Sequence, residues 1–137
     1  MASFSYNNGI TTAIQIDPKF NSNKIFVSSV ISLTTNATNI IQVAGHSVLD
    51  LANSFSIEDV QFDNHLLDYA FKLTGERLQL TVNVSKIQIA TATLTSADLI
   101  ATCTLTFDAG SSLINTYTID DSSNTQLNSV FNFSFSF

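Results

Sequence analysis

Apolar and polar residues alternate along most of the chain with a period of two. Because successive side chains of a β-strand point to opposite faces, this period predicts strands that are buried on one face and exposed on the other. The clearest runs span residues 67–73 and 78–84, and further alternating runs span 25–33, 99–107 and 127–137. No window of a dozen residues has the 3.6-residue apolar period of an amphipathic helix. The pattern therefore predicts an all-β chain of eight to ten short strands.

Turn-forming residues separate these runs and indicate how the strands are connected. Short groups containing Gly, Asp, Ser or Asn occupy residues 74–76, 108–112 and 120–124. The first group lies between alternating runs at 67–73 and 78–84, an arrangement that predicts a β-hairpin. Many such spacings favour an antiparallel β-sandwich of the jelly-roll or Greek-key type. With 137 residues, no linker and no fixed repeat, we expect a single domain spanning residues 1–137.

The last predicted strand places four phenylalanines on one face. They are Phe131, Phe133, Phe135 and Phe137. Such a face either completes the core of its own domain or packs against a neighbouring chain. Core packing is the more general explanation, because burying one large apolar side chain contributes about 1.5–3 kcal/mol. The rest of the chain already supplies apolar residues for a core, so the same four residues are also the candidate subunit interface.

The charge pattern excludes some classes of partner. Charged residues make up 12% of the chain, which is about half the usual fraction. The net charge is −6, and the five basic residues are scattered singly. Nucleic-acid binding requires clustered basic side chains to neutralise phosphates, so we expect no nucleic-acid partner. No apolar stretch reaches the length of a membrane-spanning helix, so we also expect no membrane span.

The first residues and the single cysteine bear on location and redox chemistry. The chain starts without the basic and apolar regions of a secretory signal peptide, so we expect synthesis in a cytoplasm. Incorporation into a particle or larger assembly is compatible with that expectation. Cys103 is the one cysteine, which excludes an intrachain disulfide, and its place in an apolar alternation predicts a small buried side chain.

Two acidic segments are candidate calcium sites. Asp59, Asp63 and His65 lie in a segment rich in carboxylates, and Asp120 and Asp121 lie in a second oxygen-rich loop. Calcium binds clustered carboxylate and carbonyl oxygens, but the spacing matches no established calcium loop. Hydrogen bonds from such side chains to their own backbone in turns also explain these residues without an ion. We expect no other cofactor.

Sugar-binding proteins place exposed aromatic rings beside amides and hydroxyls. Tryptophan is absent, and the 11 phenylalanines fall mostly at buried positions of the alternation. Tyr6 is followed by Asn7 and Asn8 and combines a ring with a polar hydroxyl, so these three residues are the candidate ligand-binding group.

The sequence favours a non-enzymatic function, because neither histidine lies in a recognisable catalytic motif. The few charges, the Asn, Ser and Thr on the strands, and the apolar last strand favour a homo-oligomeric structural protein. A virion decoration, fibre or shell component is an example of this class. One alternative is a carbohydrate- or cell-surface-binding module, with or without calcium. Another is a carrier of a small apolar ligand, if the sheet closes into a barrel.

Overall fold

A computed structural model describes residues 5–33, 40–88, 99–120 and 128–137, with side chains described throughout except at 5–8, 33, 40–43 and 86–88. Nine β-strands lie within these ranges. They are β1 (Ser5–Ala13), β2 (Lys24–Leu33), β3 (Ile40–Leu51), β4 (Phe55–Asp59), β5 (His65–Tyr69), β6 (Arg77–Gln88), β7 (Leu99–Phe107), β8 (Ser112–Asp120) and β9 (Asn128–Ser136). One short α-helix, α1 (Ala70–Leu73), and 3-10 turns at Pro18–Phe20 and Asp108–Gly110 connect them. No helix in the described part of the chain is long and apolar enough to cross a membrane.

The strands form two sheets. Sheet A has the strand order β1-β9-β6-β3-β4, and sheet B has the order β5-β2-β7-β8. The prediction of an all-β sandwich is confirmed. Among the described strands, only β3–β4 and β7–β8 are consecutive in the chain and also paired, so the other connections run between the sheets in the Greek-key manner. The sheets stay separate with open edges, so the barrel that a ligand carrier would require is not formed.

One pair in sheet A is parallel. β1 runs beside β9 in the same direction, with Ser5 opposite Asn128 and Ala13 opposite Ser136, whereas every other pair in the described sheets is antiparallel. The strands approach closely at Gly9, where an added Cβ would lie 3.1 Å from the main-chain oxygen of Asn132. A tight turn cannot join two parallel strands. Here the two strands are the first and the last of the described chain, and all the other strands come between them in sequence.

The predicted hairpin of residues 67–73 and 78–84 is wrong. β5 belongs to sheet B and β6 to sheet A, with α1 between them. The physical reason is a second apolar spacing in the same segment. Leu67, Ala70 and Leu73 recur every third residue and are all buried, whereas Tyr69 and Phe71 are exposed. The helical turn α1 buries Ala70 and Leu73 beside Leu67 of β5, and Gly75, with a positive φ of 83°, follows it before β6 begins.

The inner faces of the sheets share one cluster of buried side chains. Phe131, Phe133 and Phe135 belong to it with exposures of 0%, 0% and 1%. The ring of Tyr117 from sheet B lies 4.7 Å from that of Phe135, which joins the two layers directly. The interface assignment is therefore corrected to core for these three residues, because rings buried within their own domain have no surface for another chain. Phe137 is half-buried and packs against the edge of the cluster.

Candidate functional site

The outer surface of sheet B is one of two broad surfaces built by the sandwich. In β7, burial alternates strictly, so every second residue from Ile100 points away from the core. The strand register places outward residues of β2 and β8 beside those of β7, and Leu66 of β5 beside Phe26 of β2. We call this surface the sheet B face. It consists of Phe26, Ser28, Val30, Ser32, Leu66, Ile100, Thr102, Thr104, Thr106, Leu113, Thr116, Thr118 and Asp120.

The central part of the sheet B face carries several exposed apolar side chains, and its charged side chains lie at the ends, with Asp120 opposite Ile100 and Lys24 at the start of β2. Val30 is 51% exposed, Leu66 44% and Leu113 64%. Hydroxyl groups fill the space between them, and the Thr104 and Thr116 oxygens lie 3.3 Å apart across neighbouring strands. Interaction surfaces often carry exposed apolar side chains close together, so the sheet B face is a candidate contact surface.

Thr106 is an unusual member of this face. Its register partners are Phe26 on one side and Leu113 on the other. Its hydroxyl oxygen is buried and makes no hydrogen bond to any described residue. An unmade hydrogen bond at a buried hydroxyl costs about 1–3 kcal/mol. The side chains of Phe26 and Leu113 offer this hydroxyl no hydrogen-bond partner, so Thr106 has an apolar environment within the strand row.

Two exposed aromatic rings adjoin the sheet B face at the end where β5 meets α1. The Tyr69 and Phe71 rings stack with their centroids 5.8 Å apart. The ammonium of Lys24 lies 5.6 Å from the Tyr69 centroid, and that of Lys72 lies 5.9 Å from the Phe71 centroid. In these contacts each lysine ammonium lies over the face of an aromatic ring, where the ring attracts the positive charge.

The outer surface of sheet A differs in its chemistry. We call it the sheet A face, and the alternation of burial in β3, β6 and β9 identifies its residues. It consists of Thr11, His46, Val48, Asp50, Ser56, Glu58, Arg77, Gln79, Thr81, Asn83, Asn132, Ser134 and Ser136. His46 Nε2 and Glu58 Oε2 lie 3.1 Å apart on neighbouring strands, and both side chains are exposed. Amides, hydroxyls and charges therefore replace the apolar side chains of the opposite face.

A groove crosses the sheet A face where β1, β9 and β6 lie side by side. Its volume is about 330 Å³, and its polar lining comes from Thr11, Arg77, Gln79, Ser134 and Ser136. The parallel pairing of β1 with β9 places Thr11 beside Ser134, and the antiparallel pairing of β9 with β6 places Ser134 beside Gln79. The strand order thus collects hydroxyl, amide and guanidinium groups from three separate parts of the sequence.

A second cavity lies at the end of the sandwich near α1. It has a volume of about 310 Å³ and combines apolar side chains, such as Ile14, Ile16 and Phe137, with the amides Gln15 and Asn21. This cavity opens at the surface of the molecule and does not lie between the sheets, where the core is filled. It is therefore not the enclosed apolar cavity that the carrier hypothesis requires.

The structure separates the residues of the first candidate calcium segment. The Asp59 carboxylate accepts a hydrogen bond of 2.7 Å from the Val60 N–H, as residues of this type do in turns. The His65 ring lies between the rings of Phe55 and Phe62, with centroids 5.6 Å away in each case. Asp63 is exposed. Among the described residues, no three His, Cys, Asp or Glu side chains are grouped closely enough to hold a metal ion.

The remaining sequence candidates are only partly described. Asp120 is exposed at the end of β8, and Asp121 lies outside the described residues. The backbone of Tyr6, Asn7 and Asn8 runs in β1 beside residues Ser129–Phe131, but their side chains lie outside the description. Calcium binding at 120–121 and ligand binding at 6–8 therefore stay predictions.

Sequence reasoning missed both faces as candidate surfaces. One local signal for the sheet B face was present: residues 102–106 alternate threonine with buried Cys103 and Leu105, and Val30 falls on the polar side of its strand. The groove left no local signal, because its side chains come from three strands that are distant in sequence.

Burial also determines the protonation of the single thiol, that of Cys103. Cys103 is fully buried, and desolvation of the thiolate raises the pKa of the Cys103 thiol to about 12. The thiol is therefore protonated and unreactive at neutral pH.

Comparison with known proteins gives no relative from which a function could be transferred. No family model matches the chain, and neither a curated protein nor a solved structure matches it. The geometry of the two faces is therefore the basis for the function proposed below.

Proposed function

We propose that this chain is a non-enzymatic structural protein whose copies associate through the sheet B face. The observation that carries the proposal is the presence of exposed Val30, Leu66 and Leu113 on one surface whose charged side chains lie only at its ends. Covering these side chains removes apolar surface from water at about 25 cal/mol per Å². A component of a shell, fibre or particle surface is the kind of role that such self-association serves.

The distribution of charge favours a second copy as the partner on this face. The chain carries a net charge of −6, so two copies repel each other at most orientations. The repulsion is weakest where the contacting surfaces carry the fewest charges, and the central part of the sheet B face meets that condition. The sheet A face does not, because it presents Asp50 and Glu58.

Hydrogen bonding at the sheet edges favours face packing over edge pairing. In three of the four edge strands of the described sheets, β4, β5 and β8, one Asp or Asn side chain accepts a hydrogen bond from the next backbone N–H. The pairs are Asp59 with Val60 at 2.7 Å, Asp68 with Tyr69 at 2.7 Å, and Asn115 with Thr116 at 2.8 Å. Each side chain occupies a main-chain donor that an added strand would otherwise use.

Solution mass tests the proposal directly. Light scattering on the purified chain across the micromolar range is expected to show a mass that rises with concentration. Leu66→Glu and Leu113→Glu each place a charge on the sheet B face, and we expect both variants to be monomeric. Val60→Glu is the matched control, because Val60 is equally apolar and 64% exposed but lies outside this face. A wild-type chain that is monomeric at every concentration would refute the proposal.

A further inference from the structure

We propose that the groove on the sheet A face binds an acidic sugar, with Arg77 holding its carboxylate. The inference does not depend on self-association, because the groove lies on the opposite side of the sandwich from the sheet B face. A chain that assembles through sheet B would leave the groove open to its ligand.

The strand register determines which groups can contact one ligand. Thr11, Ser134 and Gln79 form one row across β1, β9 and β6, which continues to Asp50 on β3, and Ser136 and Arg77 form the next row, so Arg77 and not the first row must hold the anionic group. Neighbouring strands are about 4.8 Å apart, and successive outward residues on one strand are about 6.7 Å apart. These spacings correspond to the distances between the substituents on a single pyranose ring, so one sugar residue can contact both rows.

Arg77 is the group that points to an anion. Its side chain is exposed, and its guanidinium makes no ion pair or hydrogen bond to any part of the chain that the structure describes. The neighbouring Glu76 carboxylate instead accepts a hydrogen bond of 3.2 Å from the Asn53 N–H. An unpaired guanidinium can donate two parallel hydrogen bonds to one carboxylate. Such charge-assisted bonds are stronger than hydrogen bonds between neutral groups.

The surrounding groups select a polyhydroxylated ligand over other anions. Thr11, Ser134 and Ser136 provide hydroxyls that both donate and accept, and Gln79 provides an amide with both functions. Such groups can form hydrogen bonds with the hydroxyls of a sugar. An apolar carboxylic acid has no hydroxyls for them to bind. A single cation is also too little for a nucleic acid, which requires several phosphate contacts. The volume of about 330 Å³ lies at the small end of ligand sites, which suits one sugar residue.

The site contains no aromatic ring on which a sugar could stack, since its lining residues are polar or belong to the sheet floor. Binding therefore depends on hydrogen bonds and on the Arg77 ion pair. A charge-assisted hydrogen bond contributes about 1.5–3 kcal/mol, so removing it is expected to weaken binding by at least about tenfold.

Nuclear magnetic resonance titration of the intact chain with a tetramer of glucuronic acid tests the proposal. We expect saturable amide shifts at residues 77–79 and 134–136, and at least a tenfold loss of affinity in Arg77→Gln. Lys19→Gln is the matched control, since it removes one exposed cation that does not line the groove and should leave the affinity unchanged. Circular dichroism establishes that the variants are folded.

Two further ligands separate the contributions of charge and sugar. A neutral glucose tetramer is expected to bind at least tenfold more weakly, and acetate is expected to give no saturable shifts at these positions. Equal affinity of wild type and Arg77→Gln for the acidic tetramer, or equal binding of acetate, would overturn the proposal. A monomeric protein that still binds the acidic tetramer would remove the self-association proposal and leave this one intact.

Discussion

Ser29 and Phe62 are joined by a reciprocal pair of hydrogen bonds. The Phe62 N–H donates to Ser29 Oγ at 3.0 Å, and the Ser29 N–H donates to the Phe62 carbonyl at 2.9 Å. Both residues are buried, with exposures of 3% and 4%. The pair fastens the segment between β4 and β5 onto β2, and thereby places the Phe62 ring beside His65.

Removing the Ser29 hydroxyl should lower the stability of the fold. In Ser29→Ala, the buried Phe62 N–H loses its acceptor, and we expect the free energy of unfolding to fall by about 1–3 kcal/mol. Urea unfolding followed by circular dichroism measures this change. Ser28→Ala is the matched control, because Ser28 Oγ accepts the Asn64 N–H at 2.9 Å in an exposed position where water can replace it. Equal losses in the two variants would contradict the role of burial.

The phenylalanines of β9 should affect the stability of the isolated chain. Phe133 is completely buried, so Phe133→Ala removes its transfer energy and leaves a cavity, at a cost of about 3–5 kcal/mol. Phe137→Ala changes a half-buried ring and should cost less. Chemical unfolding at dilute protein concentration measures both. If Phe133→Ala instead lowered only the solution mass and left unfolding unaltered, the assignment of this ring to the core would be wrong.

Stability should fall at alkaline pH through the titration of Cys103. Burial raises the pKa of this thiol from 9.0 to about 12. Below pH 9 the thiol is protonated in both the folded and the unfolded chain, so its contribution is complete. Above that value the unfolded thiol ionises first, and the free energy of unfolding should fall by about 1.4 kcal/mol per pH unit until the folded thiol also titrates.

The variant Cys103→Val isolates this contribution, because valine fills the site without an ionisable group. Urea unfolding of both proteins between pH 8 and pH 11 should give curves that diverge with increasing pH. Parallel curves would show that the thiol is accessible to water in the folded chain. Modification by a thiol reagent at neutral pH should likewise require unfolding of the chain.

The hydrogen bond within β8 should limit edge pairing. Asn115 Oδ1 accepts the Thr116 N–H at 2.8 Å, so Asn115→Ala frees a main-chain donor on an edge strand. We expect faster aggregation on mild heating, measured by light scattering, with little change in the unfolding midpoint. Ser112→Ala changes an exposed residue of the same strand that lies outside the sheet B face, frees no donor and should aggregate like the wild type. Equal aggregation of both variants would argue against this protective role.

Local alternation predicts the strands well where one face of a strand is buried. β7 follows the expected pattern residue by residue, from buried Leu99 to buried Phe107. The same rule fails at 67–73, because a helical turn buries Ala70 and Leu73 there. Over so few residues, the apolar positions fit both a strand and a helical turn, and alternation cannot distinguish them. A short apolar run is ambiguous whenever tertiary packing, and not local preference, decides its conformation.

The candidate surfaces were largely beyond sequence reasoning for a different reason. Thr11, Ser134 and Gln79 are neighbours only because β1 pairs with β9 in parallel and β9 pairs with β6. No local pattern encodes which strands become partners. The phenylalanines of β9 were recognisable as one face, but the identity of the layer that covers them follows from the sheet order alone.

The parallel pairing of β1 with β9 has a mechanical consequence. Residues 5 and 136 lie at opposite ends of this nine-residue ladder. A force that pulls these two residues apart acts along the strands and loads all the inter-strand hydrogen bonds of the pair together in shear. A hairpin pulled apart at its open ends instead breaks its hydrogen bonds one after another. A subunit held in a strained assembly through these two positions would therefore resist extension at the ladder before its core is exposed.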